Sequence, residues 1–121
     1  MQDNSFLVFV YGTLRKGQGN NTLLQDGKFL GVYETKPDFT MVDLGCFPAV
    51  SPQGKTSISG ELYLIDQPAF TNLDQLEGYP TYYDRIQIDT PKGKAWLYVI
   101  HHLVETHKVV ESGDWIKHTV L

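Results

Sequence analysis

Hydrophobic positions along the chain come in short bursts separated by turn residues. Phe6 to Tyr11 is an aromatic and β-branched run closed by Gly12, and its near-continuous apolar character predicts a central strand buried on both faces. Phe29 to Glu34, Phe39 to Leu44 and Ser57 to Ile65 have the same strand-forming content. Turn chemistry separates them at Lys36-Pro37-Asp38, Gly45 to Pro48 and Pro52-Gln53-Gly54. Tyr82 to Asp89 and Lys94 to His101, joined by Pro91-Lys92-Gly93, predict a hairpin. Asn20 to Gln25 predicts a short helix with an asparagine cap and a stop at Gly27. About six strands at short spacing predict an α+β, mainly β chain with a closed or strongly curved sheet and flanking helices. No repeat or linker divides it, so residues 1–121 are expected to form one domain. Residues 104–121 read as a poorly patterned tail, extended or irregular, packed through Trp115 and Ile116.

One helix is well specified. Asp66 can cap it, Pro68 is tolerated in its first turn and Gly78 can end it, giving a span of Gln67 to Glu77. On a helical wheel with Glu77 at zero, Phe70 falls near about +20°, Leu73 about −40°, Ala69 about −80° and Leu76 about −100°. Glu77 therefore lies inside the apolar stripe, while Thr71, Asn72 and Gln75 face the other way. Burial disfavours a charged carboxylate, and the negative end of the helix dipole acts in the same direction. A carboxyl with its pKa raised toward neutrality is suited to general-base work, which makes Glu77 the leading catalytic candidate. The wheel also allows a last-turn glutamate that swings out into water or pairs with a Lys or Arg.

Composition narrows the function classes. Ten Lys and Arg against 14 Asp and Glu give a net charge of −4 in 121 residues, and the scattered cations lack the basic footprint of a nucleic-acid binder. The apolar runs are too short to cross a bilayer, and the first residues lack the features of a signal peptide, so a cytoplasmic location is expected. One cysteine cannot make an internal disulfide, and no Cys/His spacing suggests a metal site. Cys46 reads as a packed or idle thiol, and His101, His102, His107 and His118 as surface residues.

Gly12 stands at the mouth of the first strand, where a backbone without a Cβ lets a ligand approach main-chain N–H groups. A simple turn explains the same residues. Gly12 and Gly17 share the opening spacing of a P-loop, but Gln18 and Gly19 replace its Lys and Ser or Thr, which argues against nucleotide phosphate. Asp74, at the edge of the helix stripe, is the local candidate for a second carboxylate of the glycosidase kind.

Taken together, several blocks resemble the gamma-glutamyl cyclotransferase-like family, which includes the gamma-glutamylamine cyclotransferases. They are Val10-Tyr11-Gly12-Thr13-Leu14-Arg15-Lys16-Gly17, Asn20, Leu23-Leu24, Phe29-Leu30-Gly31, Phe47-Pro48-Ala49-Val50 and Gly60-Glu61-Leu62-Tyr63. The series continues in Leu73-Asp74-Gln75-Leu76-Glu77-Gly78-Tyr79, Tyr83-Asp84-Arg85 and Ala95-Trp96-Leu97-Tyr98-Val99. Asn21 stands where many relatives have a histidine. The resemblance implies a small β-barrel with flanking helices and a pocket between the Tyr11–Leu14 loop and the helix ending at Glu77. It implies that Glu77 is the acid/base residue and that Tyr11, Gly12, Thr13 and Leu14 hold a gamma-glutamyl substrate, largely through the main chain. The implied reaction releases 5-oxoproline and an amine without a cofactor. The other class of reading is a binding module that keeps the pocket for an amino-acid-like ligand and turns nothing over.

Overall fold

The structure, a computed structural model, describes residues 5–103 and 107–119. In chain order the elements are β1 (Phe6–Val10), a 3-10 helix (Asn21–Leu24), β2 (Lys28–Glu34), β3 (Phe39–Asp43), β4 (Pro48–Thr56) and β5 (Ser59–Ile65). They continue with α1 (Gln67–Glu77), β6 (Asp84–Thr90), β7 (Gly93–Val99), β8 (Lys108–Val109) and α2 (Trp115–Thr119). A five-stranded sheet runs β2-β5-β1-β7-β6 and a three-stranded sheet runs β4-β3-β8. β1 is central as its apolar run predicts, antiparallel to β5 and parallel to β7. No described helix is long and apolar enough to cross a membrane.

The expected closed or strongly curved barrel does not form. β2 and β6 end the larger sheet, β4 and β8 end the smaller one, and neither sheet is closed or strongly curled. Strand spacing in a sequence reports how many strands there are, whereas closure depends on whether distant edges bond to each other. Here the second face of the larger sheet is covered by the smaller one instead. Alternation along β1 sends Val8 and Val10 toward Phe70 and Leu73 of α1, and Phe9 toward Met41 and Val50 of β3 and β4. The sheets also meet through the main chain, where Ile100 N–H donates to the Val50 carbonyl at 2.9 Å.

Helix α1 forms over the span its capping residues predict. Asp66 Oδ1 accepts the Ala69 N–H at 3.0 Å, and Gly78 closes the helix in the left-handed conformation at φ 66°. Leu73 is fully buried and Phe70 nearly so, each burial contributing roughly 2–3 kcal/mol. A polar clamp fixes the same helix to the sheet. Asp74 accepts two bonds from Arg85 of β6, at 3.0 and 3.2 Å, and one from the Tyr98 hydroxyl of β7 at 2.6 Å. The Arg85 guanidinium lies over Phe70, Tyr79 and Trp96 at 4.2–4.5 Å from their ring centres, which keeps that clamp rigid.

Three local readings change. Asn20 does not cap the 3-10 helix, because its side-chain amide donates to Thr13 Oγ1 instead. Pro52-Gln53-Gly54 is not a boundary but an excursion inside β4, since Ser51 pairs with Thr40 and Thr56 with Phe39, leaving Pro52 to Lys55 looped out. Of the tail, Lys108–Val109 adds to β3 and Trp115–Thr119 is helical, with Trp115 buried and Ile116 half-buried. Residues 104–106, 120 and 121 lie outside the described residues.

Removing the cap of α1 with Asp66→Ala is expected to lower the unfolding free energy by about 1 kcal/mol, measured by urea denaturation. An unchanged midpoint would mean that the cap does not hold the helix.

Candidate functional site

A cavity of about 290 Å³ opens between the turn after β1 and the C-terminal end of α1. Tyr11, Gly12, Thr13, Leu14 and Glu77, singled out from the sequence on two distant segments, all line it. Leu76, Asn20 and the Cys46-Phe47-Pro48 segment add to the wall, as do Tyr82, Tyr83 and Tyr98.

The floor and one wall follow from how β1 ends. Arg15 N–H donates to the Gly12 carbonyl at 3.0 Å, so Gly12 to Arg15 form a tight turn. The N–H groups of the turn's two central residues, Thr13 and Leu14, donate to no other group among the described residues. Gly12 is required for a reason the sequence does not reveal. A Cβ there would stand 2.7 Å from Pro48 Cγ and 2.8 Å from Pro48 Cδ, closer than real Cβ contacts come. The turn is held from behind by a buried polar network. Glu61 accepts from Arg15 Nε at 3.1 Å and from the Lys16 N–H at 2.8 Å, and Arg15 Nη1 reaches Asp114 at 3.1 Å. Asn21 donates to the Leu14 carbonyl at 2.8 Å and to the Tyr63 hydroxyl at 3.2 Å.

Glu77 occupies the opposite wall. Its carboxylate makes no hydrogen bond and no ion pair among the described residues, so the salt-bridged alternative left open by the wheel is not what is found. Burial alone pushes its pKa from 4.5 up to about 7. Tyr11, Tyr83 and Tyr98 differ from it in being both buried and committed. Their hydroxyls donate to the Tyr98 carbonyl, the Pro48 carbonyl and Asp74, at 2.8, 2.8 and 2.6 Å. Burial holds all three phenols protonated well above the ordinary tyrosine range, reinforced at Tyr98 by its bond to the Asp74 carboxylate, at Tyr83 by the nearby Glu77 charge and at Tyr11 by Tyr83 and Glu77. They are wall and scaffold, and Glu77 is the group able to change protonation near neutral pH.

Asp74 is unsuited to be a second acid. Both its oxygens are taken by Arg85, and one also by Tyr98. Cys46 is exposed and lines the cavity, so it is not a packed thiol. His101 pairs with Asp84 and His118 with Asp43, both away from this cavity. Sequence reasoning gave Asn20 only a helix-capping role and gave Tyr83 and Tyr98 none in the site, yet all three line the cavity. The available signal was a polar tip within an otherwise apolar strand, as at Tyr98 between Leu97 and Val99.

Because folding raises the Glu77 pKa from 4.5 to about 7, the folded state binds that proton more tightly than the unfolded chain does. The resulting stabilisation is complete below pH 4.5 and is lost as pH rises through about 7. Glu77→Gln should therefore flatten the stability profile across this window and exceed the parent at pH 8, by up to about 3 kcal/mol. Chemical denaturation at a series of pH values checks this, and a variant less stable than the parent at pH 8 would contradict it.

Comparison with known proteins covers nearly the whole chain. The family described as "Gamma-glutamyl cyclotransferase, AIG2-like" matches residues 8–117. A Vibrio cholerae protein named provisionally as a gamma-glutamylcyclotransferase is 46% identical over 109 residues, covering 90% of this chain and 94% of its own. The gamma-glutamylcyclotransferase family protein YtfP of Escherichia coli K12 is 38% identical over 109 residues, covering 90% and 95%. Among solved structures, the uncharacterised protein PH0828 of Pyrococcus horikoshii superposes with a TM-score of 0.81 at 28% identity, covering 93% of this chain and 92% of its own.

Proposed function

The chain belongs to the gamma-glutamyl cyclotransferase, AIG2-like family, and from that premise we propose that it cyclises a gamma-glutamyl amide, releasing 5-oxoproline and an amine, with Glu77 as general base and general acid. The observation that carries the reading is an unpaired, desolvated carboxyl sharing a small cavity with the Gly12–Leu14 turn.

The chemistry is an intramolecular acyl transfer. The substrate's α-amino nitrogen attacks its own γ-carbonyl carbon, a five-membered ring closes, and the amide C–N bond breaks. At neutral pH the amine is mostly protonated and has no lone pair to use, so Glu77 first takes a proton from it. Attack leaves the ring nitrogen with one proton more than a lactam N–H holds; Glu77 gives its proton to the other nitrogen as the amide C–N bond breaks, then takes this second proton from the ring nitrogen and passes it to the departing amine, which leaves as an ammonium, so enzyme and proton count are unchanged. The step is redox-neutral and asks for no cofactor. A carboxyl titrating at about 7 is suited to both roles, since it is neither too weak a base nor too weak an acid at working pH.

The Thr13 and Leu14 N–H groups are suited to receive the α-carboxylate or the developing oxyanion of the γ-carbonyl, because both residues line the cavity and their N–H groups have no other partner among the described residues. Holding the gamma-glutamyl chain folded back on itself turns the attack into a near-attack arrangement with high effective molarity. The tight Gly12–Pro48 contact and the Arg15–Glu61 pair keep that turn in one shape.

Incubation with gamma-glutamyl amides, scored for 5-oxoproline, is expected to show turnover that Glu77→Gln lowers by about 10²- to 10⁴-fold. In the parent, kcat/KM should rise with pH through about 7, as the free enzyme's Glu77 loses its proton. Near-normal activity of the Gln variant would contradict the acid/base role. Saturable binding by the parent with no 5-oxoproline formed would make the chain a binding module.

A further inference from the structure

Helix α2 has five residues, yet a side chain at each of its ends bonds toward one of the two loops that wall the cavity. The segment that leads into it is tightly docked. Val110 N–H donates to the Met41 carbonyl at 2.8 Å, Ser59 N–H donates to the Gly113 carbonyl at 2.9 Å, and a Cβ on Gly113 would collide with the Ser57 carbonyl. Buried Trp115 then sets the helix into the core it shares with Phe9, Tyr11 and Val50. A short helix held in this way is a fixed point for whatever its polar side chains grip.

The first link runs to the turn after β1. Arg15 does not line the cavity, and its side chain is buried behind the turn, with Nε donating to Glu61 Oε2 and Nη1 to Asp114 Oδ1, both at 3.1 Å. Contact at Nε alone would let the guanidinium swing, whereas a second charge-assisted bond at Nη1 fixes its plane and, through the main chain of Arg15, the Thr13 and Leu14 peptides before it. Asp114 Oδ1 also accepts the Lys117 N–H at 3.2 Å, so the carboxylate that grips Arg15 is the N-cap of α2. The second link runs to the turn between β3 and β4. Asp43 accepts from His118 Nε2 at 2.9 Å through one oxygen and from the Gly45 N–H at 2.7 Å through the other. Leu44 N–H closes that turn on the Phe47 carbonyl at 3.0 Å, and the Cys46-Phe47-Pro48 segment lines the cavity. The two loops touch each other where Pro48 meets Gly12.

Resting on the cyclotransferase reading, we infer that Asp114 and His118 are positioning residues for the reaction: through Arg15 and Asp43 they hold the Thr13 and Leu14 N–H donors and the Phe47–Pro48 wall in place against Glu77. Neither residue lines the cavity, so each acts through the loop it holds and not by touching substrate. The reaction is sensitive to such a brace, because a misplacement of about 1 Å at a site that folds its substrate for internal attack costs up to about 100-fold in rate.

Asp114→Ser keeps a cap for α2 but is too short to reach Arg15, and His118→Phe keeps a ring beside Trp115 but loses the bond to Asp43. Each is expected to lower kcat/KM for a gamma-glutamyl amide by roughly 10- to 100-fold at a temperature where it stays folded. The pH midpoint should stay at about 7, because Glu77 is untouched. Asp114→Asn keeps an acceptor for Arg15 and His118→Gln a donor for Asp43, and both should restore most of the loss. Relaxation of ¹⁵N supplies a readout free of turnover. Order parameters are expected to fall from about 0.85 to below about 0.6 at Thr13 and Leu14 in Asp114→Ser, and at Gly45 and Phe47 in His118→Phe. Should one of these two variants fail to fold, the other decides. A purely structural role would lower the unfolding midpoint and leave kcat/KM and loop order at parent values, and that result would overturn the inference. Equal losses in Asp114→Asn and His118→Gln would overturn it as well. A parent that turns nothing over would refute the cyclotransferase reading, while the order parameters would still judge the brace.

Discussion

A carboxyl group held on an apolar wall without a counter-ion is the constraint on which the rest of this site depends. Elsewhere in the fold buried carboxylates are neutralised, Glu61 by Arg15 and Asp74 by Arg85. Glu77 is treated differently, and the folded chain bears the cost in stability as pH rises through about 7. The contacts that hold α1 keep it there. The Asp66 cap and Gly78 stop define the helix, the Asp74–Arg85–Tyr98 clamp fixes its roll, and Phe70 and Leu73 bury its face.

The two halves of the site reach each other because β1 is central. A strand bonded on both edges can deliver the turn at its end with little freedom, and alternation along it commits one face to α1 and the other to the smaller sheet. Pro48, at the start of β4, then packs against Gly12, while its carbonyl accepts from Tyr83. The smaller sheet thus contributes to the cavity as directly as the larger one.

Helix α1 and the face that Glu77 occupies were legible in the sequence because both depend on local rules, a capping aspartate, a left-handed glycine and a 3.6-residue period. The hairpin of β6 and β7 was legible for the same reason, its Gly93 standing at φ 117° after Pro91-Lys92. Non-local facts were not legible. Sheet closure depends on edge pairing between distant strands, the looped-out Pro52 to Lys55 looks like a strand end until its partner β3 is seen, and the Asn20 side chain chose Thr13 over the helix it precedes. The need for Gly12 was read as space for a ligand, whereas its missing Cβ faces Pro48.

Site-resolved titration of the Glu77 carboxyl by ¹³C NMR in the ligand-free protein tests the central claim most directly. The account predicts a midpoint near 7, where burial places it. A midpoint near the ordinary 4.5 would mean that water reaches the group freely, and the proton-transfer role would have no physical basis.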